Sequence, residues 1–321
     1  LLLRVVRGAI FGSAEGGNVI GSTLEHPATA SARSQWSPIA GKENISIAHD
    51  KDQAMVTAEH YLEHVTAETR VATIIQTSPV VGMAVDVKKI AGAIRSKSPD
   101  CFIIVDSIQH AAHGVMDIGA IGVDGCAVSG YKVFSRHNYG VAWVSPRLST
   151  LRHEKLDGTA DNFWELGTRD TGAFATFSEV VNYLEWLGSQ LTGSTDQRTR
   201  LETAGRAMAE QEQHLVDVAI NGAEGRTGIR DLPGAFILGG ADNPHREGLV
   251  SYAFTNKPSI DVVSELNERG IRTHLRKADY FSGSVLTPLD MDSCIRTSFC
   301  HYNSKQEVLM LLDALNEIIS A

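Results

Sequence analysis

The sequence predicts an α/β fold, with a large, mainly parallel-sheet domain over residues 1-188 and a smaller C-terminal α+β domain over residues 189-321. Three observations predict it. Between residues 71 and 129, short apolar runs ending in polar residues alternate with amphipathic helical stretches, the spacing of βαβ crossovers and hence of parallel strands. Gly188 to Thr195 is small and polar, and the pattern changes after it. Beyond that stretch, residues 236–238 and 249–254 read as antiparallel strands.

Composition bounds the partners. A chain of 321 residues with 43% hydrophobic content supports one large or two ordinary domains with real cores. The formal charge of −9 is spread along the chain, which favours solubility and argues against nucleic acid or an anionic membrane. The partner expected is a small molecule. No window approaches the roughly 18 consecutive apolar residues of a membrane span. The opening Leu1-Leu2-Leu3-Arg4-Val5-Val6 is too short for a signal peptide, and the chain does not start with Met, so it reads as a fragment with an amino-terminal part before Leu1. Cys101, Cys126, Cys294 and Cys300 show no C-x-x-C pairing and read as buried, reduced thiols of a cytoplasmic protein.

Taken in order, residues 1–10 have the apolar pattern of a helix end, and Gly12 to Gly17 form a turn before a short strand at Asn18 to Ser22. GSAEGG precedes a strand rather than joining strand to helix, so it is a weak phosphate loop. Pro27 suits the first position of a helix running to about Trp36, which leaves His26 at a strand-to-helix junction. Asp50 to Val65 reads as an amphipathic helix, Val71 to Thr77 as a buried strand and Ser78 to Gly82 as a loop. Asp86 caps a helix through Arg95 whose stripe is Val87, Ile90, Ala91 and Ile94. Strands follow from Cys101 to Asp106, Gly125 to Ser129 and Gly140 to Val144, and then a helix from Thr171 to Leu187 stopped by Gly188. In the second domain, a helix from about Asp196 to Val218 leads into the antiparallel strands. A helix from Ile260 to Arg269 ends at Gly270, Ile271 to Thr273 begins a strand, and Ile295 to Phe299 is the last strand. Ser304 and Glu307 form a capping box that opens a terminal helix.

The chemistry concentrates between residues 101 and 143. If its two strands are neighbours, Asp106 and Lys132 share the crevice at the carboxyl ends of the sheet, where open α/β sheets bind ligands. A lysine to hold an aldehyde as an imine and an acid against a pyridine nitrogen are what pyridoxal 5'-phosphate requires. Gln109 can supply a polar group to the ring hydroxyl, and His26 an aromatic face to stack on the ring. Taken singly, an acid at a strand end or a lysine after Gly-Tyr occurs in many α/β proteins. Only the joint arrangement carries the reading.

That arrangement resembles fold-type I pyridoxal phosphate enzymes of the class V aminotransferase family, which includes cysteine desulfurases, selenocysteine lyases and isopenicillin N epimerase. The resembling motifs are LEHPA at 24–28, IIVDSIQHAAHGVMDI at 103–118, VSGYKVFSRHNYGVAWV at 128–144, WELGTRDTGA at 164–173 and IRTSFCHYNS at 295–304. The resemblance implies that His26 stacks on the cofactor ring, Asp106 pairs with its nitrogen, Gln109 contacts its phenolic oxygen and Lys132 forms the imine. It implies further that Ser129 binds the phosphate, that Thr168 reaches the phosphate of a neighbouring subunit in a homodimer, and that Arg296 clamps the substrate carboxylate with its planar fork.

Three departures qualify the transfer. The family's small helix and its Gly-Thr-Thr-like phosphate loop would lie before residue 1. Residues 272–281 lack the cysteine nucleophile of the desulfurases, and Cys294 and Cys300 flank Arg296 at poor positions to replace it. Pro79 stands where many relatives have Asn, and Tyr131 where His is frequent before the lysine. The expectation is therefore a cytoplasmic, homodimeric enzyme acting at the Cα of an amino acid, of aminotransferase or lyase type, with no metal. A desulfurase, selenocysteine lyase or epimerase, and a non-catalytic scaffold or regulatory member, remain the alternatives. A nucleotide-dependent enzyme rests on GSAEGG alone.

Overall fold

Parallel strand pairing organises the first of two packing units, which comprises Leu1–His49, Val56–Thr77 and Val85–Ala204. The structure is a computed structural model that describes residues 1–168 and 170–320. The sheet contains β1 (Asn18–Ser22), β2 (Glu43–Ile47), β3 (Thr69–Ile75), β4 (Phe102–Asp106), β5 (Gly125–Ser129) and β6 (Gly140–Val144), in the order β2-β1-β3-β4-β5-β6. Neighbours are parallel except β5 and β6, which are antiparallel. β3 and β4 are buried along nearly their whole length, which is why they read as unbroken apolar runs. The helices of this unit are α1 (Leu2–Gly12), α2 (Pro27–Ile39), α3 (Ala58–Leu62), α4 (Val87–Lys97), α5 (Ile118–Ile121), α6 (Pro146–Ser149) and α7 (Thr171–Ser189). α1 buries Leu2, Val5, Val6, Ala9 and Ile10 in a cluster with Val19, Val71, Ile104 and Leu148.

Two polar networks lock this unit. Glu25 and Arg33, both almost fully buried, form an ion pair at 3.3 Å. The Thr73 hydroxyl and the Ser22 amide donate to the Glu25 carboxylate at 2.7 and 3.1 Å, and Arg33 donates to Asn44 Oδ1 and the Ile45 carbonyl at 3.1 and 3.0 Å. The pair thereby joins β1, α2, β2 and β3. At the start of β5, buried Asp124 accepts from Arg95, Arg147, Ser145 and the Ile103 amide. Burial works against its charge, but the Arg147 and Arg95 guanidinium groups and the Ile103 amide hold its carboxyl below the usual range.

Several elements differ from the sequence expectation for physical reasons. Residues 50–55 fold back through an Asp50–Met55 bridge, and the helix begins only after Thr57, whose capping box with His60 opens α3. β2 is an additional strand. It lies at the sheet edge and buries only Ile47 fully, so it lacks the apolar signature of its neighbours. Gly188 lies inside α7 instead of ending it. A methyl there would collide with the Arg200 backbone, so this glycine serves a close helix approach.

The second unit comprises Asp50–Met55, Ser78–Ala84 and Gly205–Ala321, and α8 (Gln197–Asn221) begins in the first unit and ends in this one. The Gly188–Thr195 stretch connects α7 and α8 within the first unit. A short hairpin, β7 (Gly222–Ala223) and β8 (Arg226–Thr227), precedes an antiparallel sheet of β9 (Ala235–Ile237), β10 (Leu249–Phe254), β11 (His274–Lys277) and β12 (Ser293–Ser298), ordered β11-β12-β10-β9. The strand expected from Ile271 forms at His274–Lys277, where pairing with β12 begins. The helices are α9 (Ser259–Glu268), α10 (Gly283–Leu286) and α11 (Lys305–Ser320), and Val250, Tyr252 and Ile295 pack into one core with Leu266, Leu312 and Leu315. The Ser304–Glu307 capping box is formed, with Ser304 N donating to Glu307 Oε2 at 2.7 Å.

Arg33→Met should destabilise the protein by about 3–5 kcal/mol in urea unfolding, because it leaves the Glu25 carboxylate buried without its cation. A loss below about 1 kcal/mol would show that the pair does not hold the unit together.

Candidate active site

Because β1, β3, β4 and β5 run parallel, their carboxyl ends lie at one edge of the sheet, and the residues just past those ends form the candidate site. Past β1, His26 caps α2 from an extended conformation, and its Nδ1 accepts the Ala28 amide at 3.2 Å. That bond places the imidazole proton of the neutral ring on Nε2. Pro27 follows at the first helical position, where no amide hydrogen is needed.

At the carboxyl end of β4 stands Asp106, 4% exposed. Its Oδ1 accepts the Ile108 amide at 3.0 Å. Burial pushes this carboxyl up to about 6. The Ile108 amide and the Lys132 charge act the other way, and Glu25 adds to the rise. Gln109 begins the short helical turn at His110–Ala112. Its Oε1 accepts from Lys132 Nζ at 2.9 Å, and its Nε2 lies 2.7 Å from His113 Nε2. An amide nitrogen only donates, so His113 Nε2 is the acceptor in this contact. Asp106, Gln109 and Lys132 are thus brought together as the sequence implies.

Past β5, Ser129 leads into the turn Gly130–Val133 that carries Lys132. Gly130 leaves room for Tyr139, since a methyl there would strike the Tyr139 ring and force it to shift. Phe134 and Asn138, with φ of 67° and 70°, hold the loop in left-handed backbone that non-glycine residues rarely adopt. Tyr131 stacks on His137 with ring centroids 4.7 Å apart. Arg136 pairs with Asp170, the cap of α7, and so ties the lysine loop to the segment of Thr168. Thr168 itself is exposed, and Arg169 of the same motif lies outside the described residues.

Arg296 belongs to the second unit, on β12 opposite Ser251 and His274. Its Nη1 donates to the Pro79 carbonyl at 2.9 Å. Sequence reasoning missed Glu25, Arg33, Thr73, Gln76, Ser107 and His113. Ser107 Oγ donates to Gln76 Oε1 at 2.6 Å and buttresses the ends of β3 and β4. Only His113 had a visible signal, four residues after Gln109 in QHAAH.

Chemically, the group offers an amine, an acid whose ionisation is opposed by burial, and a flat imidazole. A pyridine aldehyde fits this set. The buried Asp106 carboxyl gains from any cation placed against it, and Lys132 supplies the primary amine that condenses with an aldehyde to an imine.

A family model described as Aminotransferase class-V matches residues 4–311 of the chain. A cysteine desulfurase-like protein of Aspergillus flavus is 25% identical over 319 residues, covering 94% of this chain and 67% of that protein. A probable cysteine desulfurase of Borreliella burgdorferi is 22% identical over 322 residues, covering 94% of this chain and 70% of that protein. The solved structure of a cysteine desulfurase from Escherichia coli matches with a TM-score of 0.79 at 19% identity, over 99% of this chain and 77% of that one. One from Thermococcus onnurineus has the same TM-score at 18% identity, over 99% and 78%. These structures share the fold: fold-type I, a large mainly parallel sheet with a smaller antiparallel one.

Asp106 gives a signed pH prediction. Its folded-state value of about 6 lies above the ordinary 3.8, so stability is lost as pH rises between these values, where the unfolded state ionises first. In protein without cofactor, Asp106→Asn should stabilise by about 2–3 kcal/mol at pH 7.5, and the gain should vanish near pH 4. A variant less stable than the parent at pH 7.5 would show that burial does not dominate this carboxyl.

Proposed function

This chain belongs to the aminotransferase class-V family, and on that premise we propose that it is an enzyme using pyridoxal 5'-phosphate at the Cα of an amino acid, of aminotransferase or lyase type. The observation that carries the reading is the Lys132 amine held by Gln109 beside the buried Asp106 at the ends of adjacent parallel strands. When bound, pyridoxal phosphate supplies an electron sink for the bonds of the substrate Cα.

The chain's own residues would do the rest. Lys132 Nζ would hold the cofactor and, once displaced by the substrate amine, take the Cα proton and return it. Gln109 aims that amine through its side-chain oxygen, and His113 holds the amide of Gln109 in turn. Asp106 would keep a proton on the ring nitrogen. Opposing that cation, its carboxyl would fall back toward the ordinary range. His26 would lie flat against the ring, Ser129 and the partner subunit's copy of Thr168 would hold the phosphate, and Arg296, aimed by the Pro79 carbonyl, would take the substrate carboxylate.

A homodimer suits the surface. α7 buries only Val180 and Gly188 of its 19 residues, while Phe174 and Trp186 are more than half exposed. Tyr131, in the lysine loop, and Trp143, on β6, are exposed as well. The cytoplasm suits a chain whose cysteines are free thiols.

A desulfurase reading draws on the names of the relatives, but it needs a reactive thiolate. Burial pushes Cys101 and Cys294 up to about 12 and Cys126 up to about 11, and it raises Cys300 as well. Cleavage or transfer without a protein thiol is therefore the better reading.

Borohydride reduction in the presence of pyridoxal phosphate should fix the cofactor's mass on Lys132, and Lys132→Ala should lose both the label and turnover of amino acids. Unchanged labelling and turnover in that variant would remove the lysine from this role. Phe174→Glu with Trp186→Glu should halve the mass seen by light scattering. A species of unchanged mass would place the subunit contact elsewhere.

A further inference from the structure

Several basic side chains of the second unit converge on one cavity. It measures about 590 Å³, and Asn267, Arg272, Thr273, His274, Arg296 and Ser298 line it. No Asp or Glu is among the described residues of its wall. The pairing of β11 with β12 sets His274 opposite Arg296 and Arg276 opposite Cys294. Alternate residues of a strand share a face, so His274, Arg276 and Arg296 project from the same side of the sheet. Burial and then the charges of Arg296, Arg276 and Arg272 hold the His274 imidazole down at about 4. All three guanidinium groups therefore act on one point, and the ring beside them is neutral at pH 7.

Like charges gathered in a partly enclosed space repel one another, and a bound anion relieves that repulsion. One carboxylate occupies the fork of one arginine. A substrate with a single carboxylate would satisfy Arg296 and bring no counter-charge for Arg272. We propose that the cavity accepts an amino acid that carries a second carboxylate on its side chain, with Arg296 taking one carboxylate and Arg272 the other. His274, neutral, donates a ring N–H without adding to the charge. This assignment rests on Arg296 as the substrate's carboxylate clamp, and it narrows the substrate class to dicarboxylic amino acids.

The test uses succinate and butyrate, which differ by one carboxylate and lack the amine that reaction at Lys132 requires. Titration calorimetry on the full chain should show succinate binding about tenfold or more tighter than butyrate. Arg272→Met should abolish that preference, whereas Arg296→Met should weaken both ligands. Arg272→Lys, which keeps the charge without the planar fork, should retain part of the preference and guards against a folding defect, checked by melting temperature. Equal affinity for the two acids, a preference unchanged in Arg272→Met, or inorganic phosphate binding as tightly as succinate would overturn the proposal. These measurements do not depend on Lys132. A failure of cofactor trapping with the succinate preference intact would sink the reaction and leave the cavity, and the reverse result would sink the cavity alone.

Discussion

The buried pair of Glu25 and Arg33 is the interaction on which the geometry of the first unit depends. Removing two charges from water costs several kcal/mol per ion, and the pair is tolerated because further hydrogen bonds surround both charges. Glu25 takes the Thr73 hydroxyl and the Ser22 amide, and Arg33 takes Asn44 and the Ile45 carbonyl. Three strands and a helix are thereby fixed in one arrangement. A methyl on Gly21 would collide with Thr73, Glu25 and Arg33, so the strand beneath the pair must approach without a side chain. His26 is the next residue after Glu25, and its position as the cap of α2 follows from this lock.

The same sheet sets the electrostatics of the site. Asp106 is buried because it ends an almost fully covered strand, and the charge of Glu25 reaches it as a further disfavouring field. An acid held in this way is destabilising alone and becomes favourable beside a cation. Lys132 supplies part of that compensation across the neighbouring strand end. The turn that carries Lys132 is possible because Gly130 lets Tyr139 pack against it and because left-handed backbone at Phe134 and Asn138 closes the loop. Strain of this kind persists only where packing over-determines it.

The second unit positions its arginine by another device. Three successive carbonyls of the Ser78–Ala84 segment are captured by side chains. Arg296 takes Pro79, Ser251 takes Val80, and Arg246 takes Val81. Arg246 is itself buried and donates also to the Leu238, Gly240 and Leu249 carbonyls, and burial pushes its guanidinium down to about 10. Proline at position 79 is tolerated because what this segment gives Arg296 is a backbone oxygen, which proline retains.

Much of this was legible in the sequence. The alternation of buried strands with capped helices, the place of Asp106 and Lys132 at strand ends, and the Ser304–Glu307 capping box follow from local patterns of burial and hydrogen bonding that a stretch of sequence carries by itself. Where local pattern was ambiguous, tertiary contacts decided. Asp50 to Met55 folded back instead of extending a helix, and polar β2 became an edge strand because β1 offered it hydrogen bonds. Tertiary structure alone decided that Glu25 would meet Arg33 and Thr73, that Arg296 would be aimed by Pro79, and that Arg272, His274 and Arg296 would share a cavity. Those contacts depend on strand order and register, which join residues far apart in the chain and leave no period in the sequence to read.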